Sequence, residues 1–249
     1  MKRGEEMAKI PKKPEEIFPE ITDDFRKTFG DDLLSIILYG SGASGDYVPG
    51  KSDLNFLMIL SEEGIDDLGR AITTVTRWRK RRVAIPLFMT KSYITSSLDS
   101  YPLEFLNIKR NHVLVFGEDV LGELSIDSSY LRLQVERELK GKLLLLREGF
   151  LETKGRIKQI QHLIGVSLTA FISIFNALLY LKDIEIPQGK REVIRVVGKA
   201  FPIDPDVFLK CADIREGVGS FSSSDIQAIF RAYLGEVKKL SEILDRMKI

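Results

Sequence analysis

Residues 33–60, LLSIILYGSGASGDYVPGKSDLNFLMIL, constrain the fold of this chain more than any other stretch. Leu33–Tyr39 and Leu54–Leu60 are short apolar runs rich in branched side chains, the signature of buried strands. Between them lies a polar connection carrying Gly40, Ser41, Gly42, Ser44, Gly45 and Gly50. Side chains alternate faces along a strand, so Asp53 and Asn55 point to one side and Leu54 and Phe56 to the other. A Gly-Ser turn leaving one strand presents backbone N–H groups and a hydroxyl to phosphate. An Asp at the head of the next strand is placed to hold Mg²⁺ against those phosphates.

Around this pair the chain reads as α+β. Pro14, an apolar stripe through Ile17, Phe18, Ile21, Phe25 and Phe29, and a terminal Gly30 predict a helix over 14–29. Residues 62–82 open acidic and end in Arg77, Arg79, Lys80, Arg81 and Arg82, a polarity that suits one helix and its dipole. That basic run reads as a solvated helix end rather than a phosphate-binding patch. Residues 83–89 form a third strand, with Pro86 confining it to an edge or a bulge. Residues 102–116 give short pieces ending in a strand over His112–Phe116.

No strand pattern follows. Leu131, Val135, Leu139, Leu143, Leu146 and Phe150 share one helical face, and residues 157–181 form a helix apolar almost all round. Asp204-Pro205 starts a helix over 205–215, and Ser222–Ser224 start a last one carrying Ile226 to Met247. Four or five such helices read as an antiparallel bundle. The expected domains are therefore an α/β unit over 1–125, a small mixed sheet flanked by helices, and a helical bundle over 126–249. His162–Leu181 holds 20 residues without a formal charge and is long enough to cross a bilayer. Its amphipathic neighbours need a partner for their apolar faces, so it reads as the bundle centre and no membrane is expected.

Composition excludes several classes. Lys plus Arg number 37 and Asp plus Glu 36, so no net field draws the chain to nucleic acid. Cys211 is the one cysteine, which excludes an intrachain disulfide and a cysteine-held metal cluster. It reads as a small core hydrophobe. The N-terminal stretch lacks an apolar run of signal-peptide length, and a cytoplasmic protein is expected. His112 and His162 have no partner at metal-binding spacing.

Gly40-Ser41, a further glycine at 45 or 50, and Asp53 on the following strand resemble the nucleotidyltransferase superfamily of DNA polymerase β. The likeness is to its small aminoglycoside and minimal members. It implies a nucleoside triphosphate bound by Gly40, Ser41 and Ser52, in the cleft between the two domains, with Mg²⁺ as cofactor. It also implies transfer of a nucleoside monophosphate to a small-molecule or protein acceptor. Such transfer uses two metal ions held by three carboxylates. Asp53 and Asn55 take the metal positions, and Asn55 departs from the pattern because it brings an oxygen without charge. The third carboxylate belongs on the third strand, and 83–89 carries none. Glu104 is the nearest acid to complete a catalytic set of Asp53, Asn55 and Glu104. Glu136, Glu138 and Glu148 lie on the first bundle helix, where related enzymes supply a base.

The expectation is a nucleotidyltransferase-fold protein with a degenerate metal site that binds nucleotide and transfers weakly or not at all. An active Mg²⁺-dependent transferase is the first alternative. An interaction scaffold, such as a homodimer paired through its bundle helices, is the second.

Overall fold

The structure, a computed structural model, describes residues 10–247; the beginning of the charged N-terminal stretch lies outside them. A 3₁₀ turn over Pro14–Ile17 leads into α1 (Phe18–Phe29). Ile17, Ile21, Phe25 and Phe29 recur every fourth residue and are all buried. Gly30, at φ +58°, then takes the chain out of the helix.

The sheet has four strands. β1 (Leu33–Tyr39) pairs antiparallel with β2 (Asn55–Leu60), Tyr39 lying across from Asn55. β2 in turn pairs in parallel with β3 (Leu87–Thr90). The second neighbour of β1 is β4 (His112–Gly117), which is antiparallel to it, so the order is β3-β2-β1-β4. β3 is thus an edge strand. It is shorter than the expected 83–89: Val83 makes one isolated bridge to Leu54, and regular pairing resumes only after Pro86, which has no N–H for the ladder. Ile36 and Leu38 of β1, with Leu54, Phe56, Met58 and Leu60, face α1 and Trp78 in one apolar cluster. Asp53 and Asn55 therefore belong to the opposite face, as alternation requires.

Between β2 and β3 the single helix expected over 62–82 is broken into three. α2 (Glu62–Asp66) and α3 (Ile72–Arg79) are separated by a 3₁₀ turn over Leu68–Ala71. The break is at Asp67, whose backbone (φ −120°, ψ 55°) leaves the helical region. Gly64 also ties the first piece down, since a Cβ there would lie 2.7 Å from Asp32 Cβ. Of the basic residues at and after the end of α3, Arg77, Arg79 and Lys80 are exposed, as a solvated helix end requires, while Arg81 and Arg82 are half-buried. Arg77 is ion-paired with Asp24, and Arg81 with Glu20 while lying over the Trp78 ring. α4 (Lys91–Ser96) and α5 (Pro102–Arg110) complete the helices around the sheet.

The remainder is helical: α6 (Ser128–Glu152), α7 (Ile157–Tyr180), α8 (Lys190–Ala200), α9 (Pro205–Glu216) and α10 (Ser223–Asp245). Asp127, Asp204 and Ser222 are their N-caps at α6, α9 and α10, the last in a reciprocal box with Asp225. The chain divides into two compact units, one running through Leu98 and resuming over Glu104–Ser125, the other made of Asp99–Leu103 and the residues from Ile126 onward. In the second, α7 packs against α6, α8, α9 and α10. Phe171, Phe175, Phe208 and Tyr233 form a chain of edge-to-face rings there, with centroids 5.0–5.7 Å apart.

Among the described residues α7 is the one helix long and apolar enough to cross a membrane, and 56% of its apolar window is buried within the fold. Only its C-terminal half is enclosed all round, with Ile174–Leu179 buried in succession. The N-terminal half keeps a polar face, Lys158, Gln161, His162 and Thr169, beside Arg215 of α9. Cys211 is buried, and burial pushes its thiol up to about 12, as a core hydrophobe requires.

Candidate functional site

The end of β1 and the entry to β2 form one rim. Gly40 turns the chain at φ +71°, a conformation open to glycine, and its N–H donates to the Asn111 carbonyl. The Gly40 carbonyl accepts from the N–H groups of Ala43 and Ser44 (3.0 and 2.9 Å), closing a 3₁₀ turn over Gly40–Gly42. A Cβ on Gly40 would lie 3.5 Å from Asn55 Nδ2, so turn and amide are in contact. Gly42, which the sequence pattern did not single out, is needed for packing. A Cβ there would come within 3.0 Å of Leu54 and 3.1 Å of Leu38, so the turn lies directly on the sheet end. Ser41 is half-buried and its hydroxyl bonds to no described residue.

Asp53 precedes β2, and its side chain is 55% exposed. Its partner is Arg82: Arg82 Nε lies 3.3 Å from Asp53 Oδ1. The rest of that guanidinium is fixed to the same loop, with Nη2 donating to the carbonyls of Gly50 (2.7 Å) and Lys51 (2.9 Å). The Arg82 main chain also bonds here, its carbonyl accepting from Leu54 N–H at 2.9 Å. Arg82 achieves this with φ +64°, a region that non-glycine residues avoid at a cost on the order of 1–2 kcal/mol. Nε itself is buried and completes no hydrogen bond, since Asp53 stands long and off its axis.

The other predicted residues separate. Ser52 is a turn-closing residue: its N–H donates to the Val48 carbonyl and its hydroxyl accepts from Val48 N–H. Asn55 is half-buried, makes no side-chain hydrogen bond to a described residue, and has Tyr39 as its cross-strand neighbour. Burial raises the Tyr39 phenol above its usual value, keeping it a neutral hydroxyl. Glu104 is exposed in the first turn of α5, and no hydrogen bond or ion pair joins it to Asp53 or Asn55. Glu136 is held by Arg132 (2.6 Å) and Lys140 (2.5 Å), and Glu138 by Lys142 (2.8 Å), along α6. Glu148 is exposed on the same helix.

The histidines stay out of metal chemistry in different ways. Both ring nitrogens of His112 are engaged, Nδ1 with the Lys109 carbonyl and Nε2 with Asp119. His162 lines the open polar groove between α7 and α9. Among the described residues no three of His, Cys, Asp or Glu converge as a metal would require. At the rim itself the donors are one carboxylate already facing a guanidinium and one neutral amide. Mg²⁺ sheds water reluctantly and needs carboxylate or phosphate in exchange. This donor set does not fit a two-metal centre.

No family model matches the chain, and no curated protein sequence does. Solved structures do resemble it. One is a spectinomycin adenyltransferase, AAD(9), from Enterococcus faecialis, determined with ATP and spectinomycin. It is 14% identical, with a TM-score of 0.53 over 90% of this chain and 99% of that one. The chain shares that structure's fold. The mixed sheet, its flanking helices and the long helical C-terminal part all fall within the likeness. At such an identity the likeness speaks for the fold and not for the site.

Two features of the rim lay beyond sequence reasoning. Arg82 was one of five basic residues with no mark to set it apart, and only its left-handed backbone brings the guanidinium back over residues 50–53. Tyr39 ends an apolar run in the sequence, and register alone places it beside Asn55.

Proposed function

We propose that this chain is a nucleotide-binding protein built on the nucleotidyltransferase fold, with little or no transfer activity. The nucleotide's phosphates lie along the Gly40–Ser41 turn, where the Ser41 hydroxyl and the N–H groups of Ser41 and Gly42, which bond to no described residue, supply donors. The fold's likeness to an adenyltransferase solved with ATP supports a nucleoside triphosphate as the ligand class. The observation that carries the reading is the charge at the rim. In-line phosphoryl chemistry needs cations to neutralise the leaving pyrophosphate, and carboxylates to hold them. This rim offers one carboxylate, Asp53, engaged by Arg82, and Asn55 in place of the second. A phosphate cradle survives that loss and turnover does not.

A second reading, an active transferase with a small-molecule acceptor, is favoured by one observation: the similar structure holds spectinomycin as well as ATP. Two measurements separate them. Titration calorimetry with ATP shows saturable binding to the wild type and none to Ser41→Trp, whose indole fills the turn. Melting of the variant stays within about 2 °C of wild type, because Ser41 makes no hydrogen bond to lose. Pyrophosphate release from ATP, with aminocyclitol acceptors present, remains at background. Unaltered affinity in Ser41→Trp places the ligand elsewhere, and sustained pyrophosphate release establishes the transferase.

A further inference from the structure

We propose that Arg82 is the resident cation of this site, so that nucleoside triphosphate binds here without a divalent ion. The inference rests on the nucleotide reading above and says what replaces the metal in it. In a metal-dependent site the order of charges is carboxylate, metal, phosphate. Here a guanidinium already stands against the carboxylate, Nε facing Asp53 Oδ1 at 3.3 Å. Nη2 is committed to the carbonyls of Gly50 and Lys51, which fixes the plane of the group. Nη1 has no bond to a described residue, and the side chain is 38% exposed, so one edge of the fork is open to a ligand. A planar guanidinium can bond a carboxylate on one edge and a phosphate on another, giving carboxylate, guanidinium, phosphate in the same order.

Three independent features agree. The backbone of Arg82 is held in the left-handed region at a position where glycine would be unstrained, and the strain places this side chain. Its buried Nε completes no hydrogen bond, so the pair with Asp53 is electrostatic and not saturated. Asn55 removes the second negative charge that a divalent ion would be needed to balance. One carboxylate is matched by one guanidinium. Two carboxylates would not be.

The test is calorimetric titration of a non-hydrolysable ATP analogue in EDTA and in excess Mg²⁺, using wild type, Arg82→Gln, Arg82→Gly and Asp53→Asn. Arg82→Gly removes the guanidinium and its bonds to the Gly50 and Lys51 carbonyls while relieving the backbone, and thermal melting of each variant reports the fold separately from affinity. The expected result is similar affinity of the wild type in both buffers and a loss of roughly tenfold or more in both Arg82 variants in EDTA. Asp53→Asn should bind the analogue more tightly in EDTA, because it removes a negative charge facing the phosphates and leaves Arg82 unneutralised. Binding that appears only with Mg²⁺, and disappears in Asp53→Asn, would overturn the resident cation and leave the nucleotide reading standing. Absence of binding in both buffers would overturn the nucleotide reading itself, and this inference with it.

Discussion

Placing a second carboxylate at the rim with Asn55→Asp tests whether this site holds a metal ion. Asn55 makes no side-chain hydrogen bond to a described residue, so the exchange costs no bond and its effect is one of charge. Residues two apart on an extended chain are about 6.6 Å from each other. Two unit charges at that distance repel by about 0.6 kcal/mol at the dielectric of water and about 2.5 kcal/mol at an effective value of 20. Asp53 is 55% exposed and faces Arg82, which favours the lower part of that range, about 1 kcal/mol. For a chain of this size that corresponds to a fall of about 2–4 °C in Tm without metal. The repulsion also pushes the introduced carboxyl above its usual value. Mg²⁺ then has two carboxylates on one strand face. At tenfold excess over a dissociation constant it returns about 1.4 kcal/mol, enough to recover the loss. Thermal melting by circular dichroism at increasing MgCl₂ should therefore leave the wild type unmoved and raise the variant by a few degrees. Equal Mg²⁺-dependent shifts in both proteins would refute the reasoning, since the wild-type rim would then hold the ion unaided. Transfer activity is not expected in the variant, because no third acid joins Asp53 and residue 55 among the described residues.

Gly117→Ala tests the sheet that carries the rim: Gly117 has φ +80°, and a Cβ would lie 1.9 Å from the Leu34 carbonyl oxygen, which is backbone and cannot step aside. Urea unfolding should show a loss of about 3 kcal/mol or more, and a loss under about 1 kcal/mol would mean that β4 is not paired in this register. Acid should destabilise the protein below pH ~4. Asp32 is held below the usual aspartate value by hydrogen bonds from the Ser61 hydroxyl and Arg70, Asp127 by the N–H groups of Tyr130 and Ser129, and Asp225 by the hydroxyl and N–H of Ser222. Their folded values lie under the unfolded 3.8, so their stabilisation is present above that pH and is lost as pH falls through the folded values. Asp127→Asn with Asp225→Asn keeps the capping oxygens and should flatten the acid limb of Tm against pH; an unchanged limb would refute the assignment.

What the sequence disclosed follows from how local each cause is. β1 was legible to the residue, because its seven residues, apolar except for Ser35, end at a glycine turn. The shared face of Asp53 and Asn55 needed only the strand period. The starts of α9 and α10 were marked by Asp204-Pro205 and Ser222, which act within one turn. α8 escaped the sequence reading although its apolar residues Val193, Ile194 and Val197 recur at helical spacing and are buried, a signal that could have found it. The break at Asp67 is a backbone conformation and leaves no mark in hydropathy. Asp99–Leu103 groups with the helical unit through contacts far along the chain, the Leu103 N–H donating to Gln134 Oε1 at 2.8 Å.

The rim shows the same division with a consequence for function. Asn55 could be recognised from sequence as a loss, since a carboxylate was expected there. The matching gain could not be recognised, because Arg82 lies 29 residues beyond Asp53 and reaches it only through a left-handed turn after α3. The two facts bear on each other through charge. If Asp53 stood unpaired and without metal, it would repel a triphosphate, and a chain with Asn55 alone would be a poor nucleotide binder. With Arg82 against it the carboxylate is neutralised, and the N–H groups of Ser41 and Gly42 stay open to phosphate. On the proposed reading the neutral amide at position 55 adds no charge and the pairing at 82 cancels that of Asp53, and together they make a rim that accepts an anion.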